Sequence, residues 1–290
     1  MSTPPDIVDT GAPAAAAEAV ARLRSVLQAH GSMVVAFSGG VDSAFLAWIA
    51  TDELGADRVR CVTAVSPSLA PEELVDCEAL AREWGLRWET VQTDELDDPD
   101  YQRNDALRCY RCKSALSDAL DPIAAATGGT VALGVNLDDL GDHRPGQQAA
   151  AERGAVFPLV EAGFTKDMVR AASREAGLRT ADKPAAACLA SRVPYGTPVT
   201  FGVLREVAAA ESGLKALGFD DLRVRHYRDT ARIEVPLDRL ADVVARRSEV
   251  VAAVRSAGYR YVTLDLEGLR SGNLNGDLGV AEHSGSGLPT

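Results

Sequence analysis

The sequence predicts an α/β protein, a doubly wound parallel sheet followed by a smaller C-terminal α+β domain. Strand and helix signals alternate with short connections through the first half, an apolar strand runs straight into a Ser/Gly loop and a helix, and the rhythm changes after Pro194 to an αββαβ order. Taken in order, residues 14–29 read as a helix stopped by Gly31, 33–37 as a strand, and 43–54 as a helix stopped by Gly55. Residues 58–65 read as a strand, 71–84 as a helix with Pro71 as its first residue and Gly85 as its stop, and 87–92 as a strand. Next come a helix over 113–126, a strand over 130–135 and a helix over 165–176. Beyond Pro194 the pattern predicts a helix over 201–217, strands over 222–226 and 231–235 joined at Asp229, a long helix over 237–257 and a strand over 260–266. On this reading residues 14–190 form the larger domain and 191–272 the smaller. The ends, 1–13 and 273–290, have the Pro/Ala/Asp-rich and Gly/Ser-rich composition of flexible tails.

The 290 residues suffice for two modules, and 46% hydrophobic with 25% charged residues is the balance of a soluble globular protein. No apolar run is long enough for a bilayer span and the start lacks the basic and apolar regions of a secretory leader, so a cytoplasmic, membrane-free protein is expected. A net charge of −12, from 42 acidic against 30 basic residues, argues against a protein that binds nucleic acid through its phosphates. Five cysteines are too few and too uneven for a disulfide scaffold, so any pattern among them points to metal or to chemistry.

Ser38-Gly-Gly-Val-Asp-Ser43 carries the first chemical signal. Gly39 and Gly40 let the backbone turn tightly and approach a ligand, while the hydroxyls of Ser38 and Ser43 and the N–H groups of a helix start offer donors to an anion. The loop suits pyrophosphate. It lacks the lysine of loops that hold a transferable γ-phosphate, and Asp42 sits where Mg2+ could be carried.

Cys109-Tyr-Arg-Cys112 is the second signal, because two thiols at this spacing can reach one metal centre. A redox pair is the rival reading. Cys188 is the only other cysteine in a predicted loop, whereas Cys61 in a strand and Cys77 on a helix read as core residues. Three thiolates could hold three irons of a [4Fe–4S] cluster and leave the fourth open to sulfide. Arg223 and Arg225 fall on one face of a strand, where they suit a phosphate or carboxylate or else a solvated face. Ser191-Arg192 is either an anion site or a turn, and Asp138-Asp139 either a magnesium site or a solvated acidic loop.

The loop over 38–43 resembles that of the ATP pyrophosphatase (PP-loop) superfamily, with its adenine nucleotide α-hydrolase-like fold. Nearly the whole chain resembles the LarE family of ATP-dependent sulfur transferases, in residues 34–43, Asp142-His-Arg-Pro-Gly146, 188–196, Arg223-Val-Arg225 and 260–272. The resemblance implies that ATP, with Mg2+, adenylates a carboxylate of pyridinium-3,5-biscarboxylic acid mononucleotide, and that a sulfur nucleophile then displaces AMP to leave a thiocarboxylate of the nickel-pincer nucleotide cofactor. It implies Cys188 as the sulfur centre, either sacrificed to dehydroalanine or joined by Cys109 and Cys112 on a [4Fe–4S] cluster that carries sulfide, and the extra pair favours the cluster. It further implies that Ser191, Arg192, Arg223 and Arg225 hold the substrate phosphate, that Glu211 and Asp242 line its site, that a sulfide donor serves the enzyme, and that the chain is a homo-oligomer, a hexamer in the family. The same resemblance leaves three rivals: a tRNA-thiolating enzyme, for which the acidic charge is unsuited, an amide-forming synthetase, which leaves the three cysteines idle, and a nucleotide-binding protein without catalysis.

Overall fold

The computed structural model describes residues 11–141, 145–184 and 187–270. In chain order its helices and strands are α1 (Gly11–His30), β1 (Met33–Ala36), α2 (Val41–Leu54), β2 (Val59–Val65), α3 (Pro71–Glu83), β3 (Trp88–Gln92), α4 (Pro99–Gln102), α5 (Arg108–Thr127), β4 (Thr130–Leu133), α6 (Pro145–Glu152), α7 (Pro158–Glu161), α8 (Lys166–Glu175), α9 (Phe201–Ala216), β5 (Arg223–Tyr227), β6 (Thr230–Glu234), α10 (Leu240–Ala245), α11 (Arg247–Ser256) and β7 (Tyr261–Leu264). The described residues fall into two units, 11–65, 72–93 and 113–184 in one, 66–71, 94–112 and 187–270 in the other. The chain therefore passes between units more than once, and Cys109, Cys112 and Cys188 all belong to the second.

In the first unit four strands pair in parallel in the order β3-β2-β1-β4. Alternation along the strands gives the sheet two apolar faces. Met33 and Val35 of β1 join Leu23 and Leu27 of α1, Phe45 and Ile49 of α2, Leu80 of α3 and Val169 of α8. Val34 and Val62 instead join Leu116 and Leu120 of α5 and Ala150 of α6. Each fully buried Leu or Phe contributes about 1.5–3 kcal/mol to this packing. The expected doubly wound sheet is thus present. From β1 the chain goes to β2 and β3 on one side and returns to β4 on the other, so the strand order reverses between β1 and β4. Ligands of such sheets bind outside the carboxyl ends of the strands at that reversal.

The second unit holds a mixed sheet, β5-β6-β7, with β5 and β6 antiparallel and β6 and β7 parallel. Val224 and Ile233 on one face pack with Leu214 of α9 and Val254 of α11. A further apolar cluster, Tyr101, Leu189, Val193, Val199, Leu204 and Val207, draws residues 94–112 and 187–207 together.

Several elements differ from the expectation. The helix expected over 237–257 is a 3-10 turn followed by α10 and α11, broken at Arg246. The Arg246 guanidinium there donates to the carbonyl of Leu217 and lies over the Phe219 ring. Helix α5 starts five residues early and so carries the C-x-x-C pair in its first turn, while α4, α6 and α7 had no prediction. α1 begins at Gly11, inside the stretch read as a tail. The rest of the two tails, apart from 11–13, and the residues Asp142, His143 and Arg144 of the family-like segment lie outside the described residues.

Candidate functional site

The Ser/Gly loop stands at the carboxyl end of β1, beside the strand-order reversal. Gly39 has φ +67°, a left-handed conformation that a side chain strains, and a Cβ there would lie 2.9 Å from the Cys77 sulfur. Ser43 Oγ accepts from the Ser38 N–H at 3.2 Å, donates to the Gly40 carbonyl at 3.1 Å and lies 2.9 Å from Ser38 Oγ. Gly40 is the N-cap of α2 and no side chain caps it, which leaves the first N–H groups of the helix to a ligand. Gly134, just past β4, has to be glycine for a steric reason, since a Cβ there would stand 2.6 Å from Ser43 N. The end of β4 thereby sits against the first turn of α2, and the loop is pressed into shape from both strands.

Two lysines reach this loop. Lys166 Nζ is 2.5 Å from Asp42 Oδ2, and Asn136 Nδ2 donates to Asp42 Oδ1 at 3.1 Å. Lys183 Nζ donates to the Gly39 carbonyl at 3.2 Å and pairs with Glu73 and Asp76 at 2.7 Å each. Asp138 and Asp139 lie next to this group, where Asp138 Oδ2 accepts from Lys166 N at 2.7 Å and Asp139 Oδ2 from Asn136 N at 3.2 Å. Asp42 offers hard oxygen to a cation and already has a cationic neighbour, so the donor chemistry fits Mg2+.

In the second unit two of the three predicted thiols, Cys188 and Cys109, act on one buried cation, Arg108. Arg108 Nη1 donates to Asn104 Oδ1 at 2.6 Å and to the Ala190 carbonyl at 2.9 Å, and its guanidinium lies over the Tyr195 ring. Burial works against the Arg108 charge, but Cys188 and then Cys109 lie close enough to raise it above its ordinary value. Tyr101, buried and hydrogen-bonded to Ser68 Oγ at 2.7 Å, is pushed up by burial first and then, after an opposing effect of Ser68, by Cys188 and Cys112. Cys109 and Cys188 are exposed, Cys112 is half-buried, and none of the five cysteines, all described, forms a disulfide. Cys61 and Cys77 are fully buried, as their positions predict, and burial pushes their thiols up to about 12 and about 11.

Asn104 ties the two cysteine segments together. It adopts φ 58°, and its amide nitrogen donates to the carbonyls of Pro194 and Thr197 at 2.8 Å each and Val193 at 3.3 Å. Among the described residues no three His, Cys, Asp or Glu side chains close on one metal ion. A cluster's irons stand apart, so its thiolates need not meet at a point, and three thiols of which two act on a fixed guanidinium fit such a polyanionic group in kind.

The predicted arginines form a network with buried carboxylates. Arg192 Nε and Nη2 bind Glu211 at 2.9 and 3.2 Å, and Nη1 holds the carbonyls of Ala187 at 2.7 Å and Cys188 at 3.3 Å. Arg225 binds Glu234 at 2.9 Å and donates to the Ser191 carbonyl at 2.8 Å. Glu211 also accepts from Val224 N at 2.9 Å, so this residue, readable from sequence as an exposed helix position, is buried. Arg223 differs from both. It is half-buried, donates to the Arg270 carbonyl at 3.1 Å, and is held below its ordinary range by burial first and by Arg192 and Arg225 next. An anion beside it would relieve that strain. Asp242 stands outside this network, its carboxylate paired with Arg239 on the exposed side of α10.

Several residues of these sites went unread in the sequence, among them Tyr101, Asn104, Arg108, Gly134, Asn136, Lys166, Lys183 and Glu234. Gly134 and Arg108 had a signal, one a glycine inside the predicted strand over 130–135 and the other directly before the C-x-x-C pair. The rest act through contacts made only by the fold. No helix among the described residues is long and apolar enough to cross a membrane.

A family model for NAD synthase matches residues 16–105. The chain is 46% identical over 260 residues to an uncharacterized protein of Synechocystis sp., a match covering 88% of this chain and 97% of that one. It is 40% identical over 251 residues to the pyridinium-3,5-bisthiocarboxylic acid mononucleotide synthase of Lactiplantibacillus plantarum, covering 86% of this chain and 91% of that one. An uncharacterized protein of Methanocaldococcus jannaschii is 24% identical over 240 residues, covering 82% of this chain and 91% of its own.

Proposed function

This chain belongs to the LarE family of pyridinium-3,5-bisthiocarboxylic acid mononucleotide synthases, and on that premise we propose that it is an ATP-dependent sulfur transferase of nickel-pincer cofactor biosynthesis. Its substrate is pyridinium-3,5-biscarboxylic acid mononucleotide. The single observation that carries this reading beyond family membership is the network that ties the Cys188 loop to a cluster of arginines through Arg192 and Arg225.

Residues 38–43 and the open N-terminus of α2 hold the β- and γ-phosphates of ATP, with Mg2+ at Asp42. A substrate carboxylate oxygen attacks the α-phosphorus, the bond from that phosphorus to the bridging oxygen breaks, and pyrophosphate leaves with the electron pair. The acyl adenylate formed carries AMP as a good leaving group, which a sulfur nucleophile displaces at the acyl carbon to give the thiocarboxylate. Arg223 receives the substrate phosphate, in the company of Ser191, whereas Arg192 and Arg225 are spent on Glu211, Glu234 and the backbone around Cys188. Glu211 contributes by holding Arg192, and Asp242 would line the mononucleotide at the margin. A [4Fe–4S] cluster on Cys109, Cys112 and Cys188, when bound, would supply an iron with an open position for sulfide. Arg108 sets a fixed positive charge beside those sulfurs. On the same reading the protein works in the cytoplasm as a homo-oligomer and takes sulfide from a donor.

Anaerobically reconstituted protein incubated with Mg2+, ATP, sulfide and the biscarboxylate mononucleotide should yield AMP, pyrophosphate and a thiocarboxylate, read by mass spectrometry. Pyrophosphate without a sulfurated product would reduce the protein to an adenylating enzyme.

A further inference from the structure

The carboxylate of Asp42 has one neutral and one charged partner. Asn136 takes Oδ1 through its amide, and Lys166 takes Oδ2 through its ammonium. The lysine's backbone is pinned at the first position of α8, where Thr165 caps the helix and Asp138 accepts the Lys166 N–H. Its side chain, 31% exposed against 16% for Asp42, can leave the pair without any backbone movement. Lys183 cannot do the same, because two carboxylates and the Gly39 carbonyl hold it at once.

A divalent cation at Asp42 would contend with Lys166 for the carboxylate, whose other oxygen Asn136 engages, and an ammonium left beside it would be repelled. Polyphosphate removes the conflict, since its oxygens accept the lysine while the cation takes the carboxylate. We propose that Lys166 and the divalent cation are alternative partners of Asp42, the lysine passing to the polyphosphate when the cation arrives. Lys166 is then a nucleotide-binding residue, and cation and nucleotide bind with positive coupling. The inference rests on the ATP use proposed above and is independent of the sulfur chemistry.

Mn2+ is the probe, its free concentration read by electron paramagnetic resonance on the full chain with and without α,β-methylene-ATP. Wild-type protein should bind Mn2+ weakly alone and more tightly with the analogue. Lys166→Met and Lys166→Gln should bind Mn2+ alone about three- to tenfold more tightly than wild type, as expected for removal of a partly screened competing charge, and should lose most of the coupling. Lys166→Arg should behave as wild type, and Asp42→Asn should bind no Mn2+ at this site in either condition. Unchanged Mn2+ affinity in both neutral variants, with native circular dichroism, overturns the proposal. So does undiminished coupling in them. Loss of thiocarboxylate formation with the coupling intact would instead count against the sulfur-transfer reading alone.

Discussion

Arg192 grips Glu211 through two nitrogens, Nε to Oε1 at 2.9 Å and Nη2 to Oε2 at 3.2 Å, and turns its third toward the carbonyls of Ala187 and Cys188. Arg192, which the resemblance implies as a phosphate ligand, also holds the shape of the cysteine loop. Because the pair is buried, removing one partner strands a charge. Arg192→Met should cost about 3–5 kcal/mol in urea unfolding, and the double variant with Glu211→Met should recover much of that loss. If the two changes simply added, the pair would not be coupled.

Arg223 and Arg225 should separate by assay. Arg223→Gln removes a charge with one backbone hydrogen bond and two like-charged neighbours, so the fold should hold while mononucleotide affinity falls about tenfold or more. Arg225→Gln leaves Glu234 Oε2 without its two guanidinium nitrogens, with Arg232 remaining at Oε1, and should lower the melting temperature first. Calorimetric titration beside thermal unfolding reads both, and a reversed pattern would exchange their roles.

Gly134→Ala tests the pressure of β4 on the nucleotide loop. The added methyl meets backbone atoms of Asp42 and Ser43 at 2.6–2.8 Å, so the loop has to shift. A stability loss of about 1–3 kcal/mol and weaker ATP binding are expected, with mononucleotide binding spared. Unaltered ATP affinity would show that the loop tolerates the displacement.

Alkaline titration should expose the buried thiols. Cys61 and Cys77 rise from an ordinary 9.0 to about 12 and about 11, each chiefly through burial. Above pH 9 the unfolded chain releases these protons while the folded chain keeps them. Their contribution is therefore whole below pH 9 and is lost as pH climbs through 11 to 12. The urea midpoint should fall over that window, and less steeply in Cys61→Ala with Cys77→Ala. Iodoacetamide at pH 8 should label exposed Cys109 and Cys188 in folded protein and spare the buried pair.

The sheet was legible because its signals are local: period-two strands, glycine stops at Gly31, Gly55 and Gly85, and a loop whose residues all lie within 38–43. The cysteines and arginines were legible as chemistry but not as architecture. Arg192, Arg223 and Arg225 look alike in sequence, and only the carboxylates that α9 and β6 place against Arg192 and Arg225, Glu211 and Glu234, set Arg223 apart. Lys166 gave no signal, since it meets Asp42 across 124 positions of chain. The break at Arg246 was hidden for a similar reason, its causes being Leu217 and Phe219.

The amide of Asn104 gathers carbonyls that enter the chain some ninety positions later. During synthesis Cys109 and Cys112 emerge long before the segment that carries Cys188 and the partners of Asn104 exists. Until Val193, Pro194 and Thr197 have left the ribosome, the Asn104 amide lacks the partners that join the two cysteine segments. On the proposed cluster reading, loading with iron and sulfide would follow the synthesis of Thr197, well past the midpoint of translation.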